Sequence, residues 1–193
     1  FGPKPEWWPE WLPFSPALLI LPFPALFRFT CYYYRGAYYK AFWADPPACA
    51  GSEPRKGYTG EHGFPLIMQN IHRYFLYAAI IFILFLLHDA WKGFWFADES
   101  LGGYSPKGLH PFPLTNVVLL GLYTFSCHSF RHLIGGRRKQ LSAKPLSFKC
   151  YTCVSGLNKR HMLFAWCSLF SVMIADLYVR LCAAGVIHDI RFF

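Results

Sequence analysis

The feature that most constrains this chain is an uncharged apolar run near its middle. Residues 74–87 read YFLYAAIIFILFLL, fourteen residues without a charge, and apolar residues predominate over about 65–88. A helix needs about 20 mainly apolar residues to cross the hydrocarbon core of a bilayer. Runs this long and uniform are uncommon inside small soluble domains. We therefore predict a membrane-spanning helix over residues 65–88.

Three other stretches have the same apolar character. Pro22 and Pro24 should bend or restart the first of them, because proline lacks the backbone N–H that an internal helical turn uses. Pro113 suits the first turn of the next stretch, and Gly135 and Gly136 suit its end. The three stretches cover about residues 14–34, 112–133 and 157–187.

The sequence thus predicts an all-α fold, an integral membrane helical bundle with about four transmembrane helices in one domain, residues 1–193. Apolar residues make up 54% of the chain and aromatic residues 20%, more than one small soluble core would bury. Membrane interfaces, in contrast, are rich in aromatic rings. Because the first residue is Phe1 and not Met, we expect a preceding segment with room for one more helix.

The basic residues indicate the orientation of the helices. The formal net charge is +9, but Lys and Arg lie between the apolar runs and not along one stripe, so we expect no nucleic-acid partner. Thirteen of the 19 Lys and Arg residues lie in the stretches 35–73 and 131–160, and five lie on the opposite side. By the positive-inside rule, the two basic loops face the cytoplasm. The expected location is the inner (plasma) membrane, which the chain crosses several times.

Arg28 belongs to neither group of basic residues, because it lies inside the first predicted span. An arginine at bilayer depth costs roughly 2.5–3.5 kcal/mol on insertion scales, so its side chain should face the bundle interior or a polar ligand and not lipid. Asp176 and Arg180 are four residues apart near the end of the last span. Their opposite charges predict a structural ion pair on one helix face.

Soft and basic side chains gather at the helix ends on the predicted cytoplasmic side. A single His or Cys in a helix is more often a packing residue than a ligand. Several costly polar groups on one face instead suggest a redox centre, a quinone pocket or a proton path. His128 and His132 are four residues apart, so both imidazoles lie on one helix face within reach of one metal ion. The group comprises Cys31, Cys49, His72, Arg73, Cys127, His128, Ser129, Arg131, His132, Asn158, Arg160 and His161.

Cys150 and Cys153 form a C-x-x-C motif, but no second such motif follows at a suitable spacing. Zinc and iron sites of this kind generally need the second pair. We therefore interpret these two residues as thiols of a loop.

Four sequence strings, read in order, resemble the cytochrome-b-type membrane subunit of a bacterial subfamily of succinate dehydrogenases. The resemblance extends over about residues 14–193, and each string falls at a predicted helix end. The strings are CYYYRGAYYKAFWADPPACA, PLIMQNIHRYF, SCHSFRHLIGG and LNKRHMLFAWCSLFSVMIADLYVRL.

This resemblance implies a helical bundle docked under an iron–sulfur subunit, which in turn carries the flavoprotein subunit that oxidises succinate or reduces fumarate. The present subunit would itself be non-catalytic. It would anchor the complex in lipid and carry electrons between the iron–sulfur subunit and membrane quinone, menaquinone or ubiquinone. That role belongs to the respiratory chain and the tricarboxylic acid cycle. Whether a second small anchor subunit completes the bundle is left open.

The resemblance also implies a bound redox centre. Most relatives hold haem b between the helices, whereas one branch holds a Rieske-like [2Fe–2S] cluster, which needs two Cys on one iron and two His on the other. We favour the cluster, and close competitors for its ligands are Cys127, His72 and His161. A haem b held by His72 and His161 is the alternative within the same enzyme class. The favoured cluster ligands are Cys31, Cys49, His128 and His132.

Quinone reduction also needs donors of hydrogen bonds and protons near the two carbonyl groups, in a pocket with apolar walls. Arg73 and Arg131 could equally bind lipid phosphate or acidic patches of a partner. A non-redox membrane transporter is the alternative from another functional class, but it should place polar groups near mid-bilayer and not at helix ends. The candidate quinone-binding residues are Tyr34, His72, Arg73, Arg131 and His161.

Overall fold

The structure, a computed structural model, describes residues 5–11, 16–43, 62–64, 66–92, 95–98, 103–106, 111–136 and 144–187. At residues 16–17, 95–98, 103–106 and 111–112 it describes the backbone alone.

The N-terminal part of the described chain consists of short helices. Helix α3 continues into a π-helical turn over Arg35–Tyr39 and a 3-10 turn over Lys40–Trp43. The helices are α1 (Pro16–Ile20), α2 (Pro22–Phe29) and α3 (Tyr32–Tyr34).

The remaining elements include the two longest helices. Strands β1 and β2 form an antiparallel hairpin in which Trp95 lies opposite Pro106. In chain order the elements are α4 (Ile67–Lys92), β1 (Trp95–Asp98), β2 (Gly103–Pro106), α5 (Pro111–Phe125), α6 (His128–Gly135), α7 (Pro145–Asn158) and α8 (His161–Ala183).

Helices α4 and α8 are long and apolar enough to cross a membrane, and only 11% of the apolar window of each is buried. Two shorter apolar helical stretches, Leu18–Phe29 and Pro113–Phe125, lie within the other two predicted spans. A core helix of a soluble protein would bury its apolar surface. Here that surface points outward, as expected for helices that face lipid.

The predicted first and third spans are not continuous helices. Pro22 begins α2, and the chain then leaves the helix at Cys31, whose backbone is extended with φ −58° and ψ 133°. Cys127 separates α5 from α6 in the same way, with φ −63° and ψ 144°. Both cysteines therefore occupy the position just before a new helix, inside the bundle and not on a continuous helix face.

Two elements differ from the sequence prediction. Strands β1 and β2 after α4 were not predicted, and they form a small two-stranded addition to an all-α bundle. Cys150 and Cys153 do not lie in a loop, because α7 extends over both of them, and both are exposed. Helix α7 escaped prediction because its sequence, PLSFKCYTCVSGLN, mixes polar and apolar residues without a clear helical period.

The helices pack as a bundle around α5. Helix α5 contacts both α4 and α8, α2 contacts α4, and α6 contacts α7. The core lies where α2 and α5 end and where α4 and α8 begin. Its buried apolar residues are Phe27, Cys31, Leu76, Tyr123, Cys127 and Ala165.

Candidate functional site

Two cysteine–histidine pairs lie in this core. The Nε2 atom of His72 is 2.9 Å from the Sγ atom of Cys127, and the Nε2 atom of His161 is 3.3 Å from the Sγ atom of Cys31. The four side chains are only 1–8% exposed. They come from the α2–α3 junction, the first turns of α4, the α5–α6 junction and the start of α8. We refer to these four residues as the buried quartet.

A threonine hydroxyl fixes the first imidazole. The Oγ1 atom of Thr30 lies 2.8 Å from Nδ1 of His72 and donates its own proton to the carbonyl oxygen of Leu26 at 2.7 Å. Because the Thr30 proton is used there, its oxygen accepts a hydrogen bond from the Nδ1–H of His72. The Nε2 atom of His72 therefore carries a lone pair, and that lone pair faces the sulfur of Cys127.

A serine hydroxyl fixes the second imidazole in the same manner. The Oγ atom of Ser126 lies 2.7 Å from Nδ1 of His161 and donates its proton to the carbonyl oxygen of Tyr123 at 3.1 Å. The Nε2 lone pair of His161 accordingly faces the sulfur of Cys31. A neutral imidazole whose other nitrogen is held by a hydrogen bond is the form that ligates metals.

Two dipeptides, Thr30–Cys31 and Ser126–Cys127, connect the two cysteine–histidine pairs. Each dipeptide orients one imidazole with its hydroxyl group and offers its thiol to the other imidazole. Because both dipeptides lie where a helix breaks, the hydroxyl and the thiol can serve two different neighbours.

The backbone around each cysteine directs hydrogen-bond donors toward the sulfur. The N–H groups of the second and third residues after Cys31, and of those after Cys127, lie toward the respective sulfur. They form no capping hydrogen bond in this geometry. Donor groups directed at a cysteine sulfur stabilise the thiolate, which is the form that binds metal.

Aromatic rings cover the faces of both imidazoles. Phe27 stacks on His72 with ring centroids 4.7 Å apart, and Tyr123 stacks on His161 at 5.1 Å. Phe27 and Tyr123 meet edge to face at 5.5 Å. These contacts fix the ring planes and keep water from the pairs.

Arg28 faces the bundle interior, as predicted. Its guanidinium donates hydrogen bonds to the hydroxyl of Tyr34 (2.9 Å), the carbonyl oxygen of Ala165 (3.0 Å) and the hydroxyl of Ser168 (2.8 Å). It also lies over the ring of Tyr123, 4.5 Å from the centroid. Within the described residues no carboxylate pairs with Arg28, so its positive charge lies near the quartet without a counter-charge.

A cavity of about 410 Å³ opens beside the quartet. Cys31, Cys127 and His161 form one part of its wall, and Tyr33 and Lys159 form another. This volume lies within the range typical of small-molecule sites. A small ring bound there would lie next to one cysteine–histidine pair.

Only one of the four favoured cluster ligands, Cys31, belongs to the quartet. Cys49 lies outside the described residues. His128 and His132 lie together as their spacing predicts, with Nε2 atoms 3.1 Å apart, but both are exposed. The quartet is completed by the three residues that the sequence offered as competitors, Cys127, His72 and His161.

The predicted quinone-binding residues do not meet at one cavity. Of the five, His161 lines the cavity beside the quartet. The hydroxyl of Tyr34 accepts a hydrogen bond from Arg28 and donates one to the carbonyl oxygen of Ala165 at 3.2 Å. His72 is enclosed against its thiol partner, and Arg73 is exposed.

Arg131 contacts helix α7 and does not line the cavity beside the quartet. Its Nε donates a hydrogen bond to the hydroxyl of Ser155 at 3.0 Å, and its guanidinium lies over the ring of Tyr151 at 5.0 Å. With His132 it lines a separate cavity of about 380 Å³ between α6 and α7. The predicted ion pair of Asp176 and Arg180 is confirmed, with an N–O distance of 2.8 Å.

Four residues of the site were not singled out from the sequence: Thr30, Ser126, Phe27 and Tyr123. A usable signal for the first two was present, because a hydroxyl residue directly precedes a cysteine at both helix breaks. Among the described residues, no group of three or more His, Cys, Asp or Glu side chains is arranged to hold one metal ion. The site is built from pairs.

Comparisons with known proteins relate this chain to a protein family and to a solved structure. Residues 1–185 match the family model described as "Actinobacterial succinate dehydrogenase subunit SdhC". The chain is similar to a chain of the Mycobacterium smegmatis Sdh1 complex in the apo form, with 48% identity and a TM-score of 0.71. That similarity covers 92% of this chain and 66% of the other. None of the curated proteins matches this chain.

Proposed function

Because the chain belongs to the family of actinobacterial succinate dehydrogenase SdhC subunits, we propose that it carries electrons between that enzyme's iron–sulfur subunit and membrane quinone. We further propose that the buried quartet holds a Rieske-like [2Fe–2S] cluster. One observation carries this second step: two imidazole Nε2 lone pairs face two thiols, and all four side chains are buried.

The outward apolar faces of α4 and α8 support the role of a membrane anchor in one transmembrane domain. We propose four crossings, in which Leu18–Phe29 and Pro113–Phe125 form the membrane-embedded parts of the other two. The basic stretches then face the cytoplasm, where the iron–sulfur and flavoprotein subunits would dock. This arrangement places the quartet near the face from which electrons arrive.

The donor set fits a [2Fe–2S] cluster. A Rieske-type cluster takes two cysteines on one iron and two histidines on the other, so each iron needs only two protein ligands. The absence of a three-ligand group in the described part of the chain therefore does not conflict with it. When bound, such a cluster accepts and releases one electron at a time.

The alternative, a haem b held by His72 and His161, fits less well. A bis-histidine haem uses only the two imidazoles, so the two thiols that face their Nε2 atoms would take no part in binding it. The rings of Phe27 and Tyr123 also cover the imidazole faces and contact each other. Haem would thus leave both thiols without a ligand role and require both aromatic rings to move.

The residues of the chain then have separate tasks. Thr30 and Ser126 hold the Nδ1–H of each histidine, which fixes the tautomer and the ring orientation. Phe27 and Tyr123 exclude water and so keep the environment of the quartet apolar.

We propose the cavity beside the quartet as the place where the quinone ring binds. His161 and Cys31 belong both to the quartet and to the cavity wall, which keeps the electron path short. Tyr33 and Lys159 are the polar groups of the wall that suit hydrogen bonding to a quinone carbonyl. The position of Arg131 on a separate surface supports its use against lipid phosphate or an acidic partner.

The test uses the purified complex reduced with dithionite, whose electron paramagnetic resonance spectrum is recorded with its optical spectrum and an iron assay. A Rieske-type signal without b-haem bands supports the proposal. Haem bands without that signal would indicate that His72 and His161 bind haem. If neither is present, the chain is a quinone anchor without a redox centre, and the second proposal is wrong.

A further inference from the structure

Tyr123 contacts the quartet and has a buried hydroxyl group that forms no hydrogen bond among the described residues. The residue is 1% exposed, and its hydroxyl has no hydrogen-bond partner among the described residues. Buried hydroxyl groups are rarely left without a partner, because they lose their hydrogen bonds to water and gain nothing in return. The hydroxyl of Tyr123 therefore forms no hydrogen bond of acceptable geometry in the polypeptide alone, although it lies beside the sulfur of Cys31.

The surroundings of this hydroxyl limit what the acceptor can be. It lies beside the thiol of Cys31, and its ring stacks on His161 at 5.1 Å. The charge of a Cys127 thiolate would also act on it. The phenol is thus held among three members of the quartet, and any group bound by the quartet would lie within its reach.

Arg28 makes the phenol a stronger donor. Its guanidinium lies 4.5 Å from the ring centroid of Tyr123, and a cation over the ring face draws electron density from the O–H bond. Arg28 cannot itself be the missing partner, because a guanidinium has no acceptor atom. Three hydrogen bonds to Tyr34, Ala165 and Ser168 hold it in place.

We propose that the Tyr123 hydroxyl donates a hydrogen bond to a sulfur atom of the redox centre, either Cys31 Sγ or an inorganic sulfide, and thereby raises its reduction potential. This inference rests on the proposed function. Reduction adds one electron whose negative charge spreads over the sulfur atoms, so a donor aimed at sulfur stabilises the reduced state more than the oxidised state. Tyr123 is in this sense a tuning residue that takes no part in proton transfer.

The experiment is a redox titration of the purified complex, followed by electron paramagnetic resonance, with Tyr123→Phe compared with the unmodified protein. Loss of the hydroxyl should lower the equilibrium constant for reduction by about tenfold, which is 59 mV for a one-electron couple. Tyr77→Phe is the matched control, because it makes the same chemical change on an exposed face of α4 and should leave the potential unchanged.

A second readout is the coupling of an exchangeable proton to the reduced centre, measured by electron–nuclear double resonance in H₂O and D₂O. The coupling should be present in the unmodified protein and in Tyr77→Phe, and absent in Tyr123→Phe. If Tyr123→Phe does not retain the centre, replacement of Tyr123 by 3-fluorotyrosine tests the same bond, because the more acidic phenol should raise the potential.

The outcomes separate the two proposals. An unchanged potential and an unchanged proton coupling in Tyr123→Phe overturn the inference about Tyr123 and leave the cluster in place. An unchanged potential with 3-fluorotyrosine overturns it as well. The absence of a Rieske-type signal in the unmodified complex overturns the proposed redox centre, and this inference with it.

Discussion

The buried quartet and the His128–His132 pair each contain two imidazoles. They differ in the hydrogen bonds that these imidazoles form. In the exposed pair, the two Nε2 atoms bond to each other at 3.1 Å, so one must donate and the other accept. In the quartet, each Nδ1–H is held by a hydroxyl group, and each Nε2 lone pair faces a thiol.

The difference shows that ligand spacing on a helix is a weaker guide than the hydrogen bond on the far side of the ring. The i,i+4 spacing does bring His128 and His132 into contact, with Tyr32 stacked on His128 at 5.5 Å. It does not fix their tautomers or shield them from water. The quartet gains both properties from residues distant in sequence, which is why its imidazoles are preorganised for a metal.

The largest effect is expected from a cysteine of the quartet. Cys127→Ala should remove the two iron atoms and the Rieske-type signal of this cluster, while the iron–sulfur subunit keeps its own iron, because loss of one thiolate removes half of the protein ligands of one cluster iron. Iron content and the signal of the purified variant are the measurements. Cys167→Ala, a half-buried cysteine on α8, is the control and should retain both. Full iron content in Cys127→Ala would remove that residue from the ligand set.

A smaller effect should follow from loss of an orienting hydroxyl group. Thr30→Val keeps the size of the side chain but leaves the Nδ1–H of His72 without its acceptor, and changes of this kind typically lower metal affinity about 10–100-fold. The measurement is iron retained against increasing chelator concentration. Thr152→Val is the matched control, because that exposed hydroxyl also donates to the carbonyl oxygen four residues earlier. Equal iron retention in the two variants would contradict the orienting role of Thr30.

The smallest effect concerns the cavity that lies between the two regions, since Cys31 and His128 both line it. Gly36 lines the same cavity and has open space where a side chain would project. Gly36→Leu should raise the KM for quinone by roughly tenfold, about 1.4 kcal/mol of binding free energy, while the paramagnetic signal persists. Gly156→Leu on α7, where there is also open space, is the control for a leucine in a helix. An unaltered KM in Gly36→Leu would place the quinone elsewhere.

The sequence was a good guide to the long helices and a poorer one to their interruptions. Residues 65–88 and 157–187 were predicted as spans, and α4 and α8 lie there, because an uninterrupted apolar run leaves few alternatives to a helix. The breaks at Cys31 and Cys127 have no comparable signal. Neither is preceded by proline or glycine, and their extended backbones are stabilised by tertiary contacts of the core.

The functional site, like the fold, was predictable from the sequence only in part. The gathering of thiols and imidazoles at one end of the bundle was predictable, because several helix ends carry them. The pairing was not, because Cys31 and His161 are 130 residues apart and Cys127 and His72 are 55 apart. Only the packing of α5 between α4 and α8 brings those residues together. The Thr30–Cys31 and Ser126–Cys127 dipeptides were a local signal for the quartet, but the same pattern occurs at Thr152–Cys153, outside it.

The most direct test of the central claim is the paramagnetic signal of two variants of the purified complex, His72→Ala and His128→Ala, recorded under identical reducing conditions. If the buried quartet holds the centre, His72→Ala loses the signal and His128→Ala retains it with unchanged line shape. Loss of the signal in His128→Ala and its retention in His72→Ala would contradict the account and return the ligand role to the exposed pair.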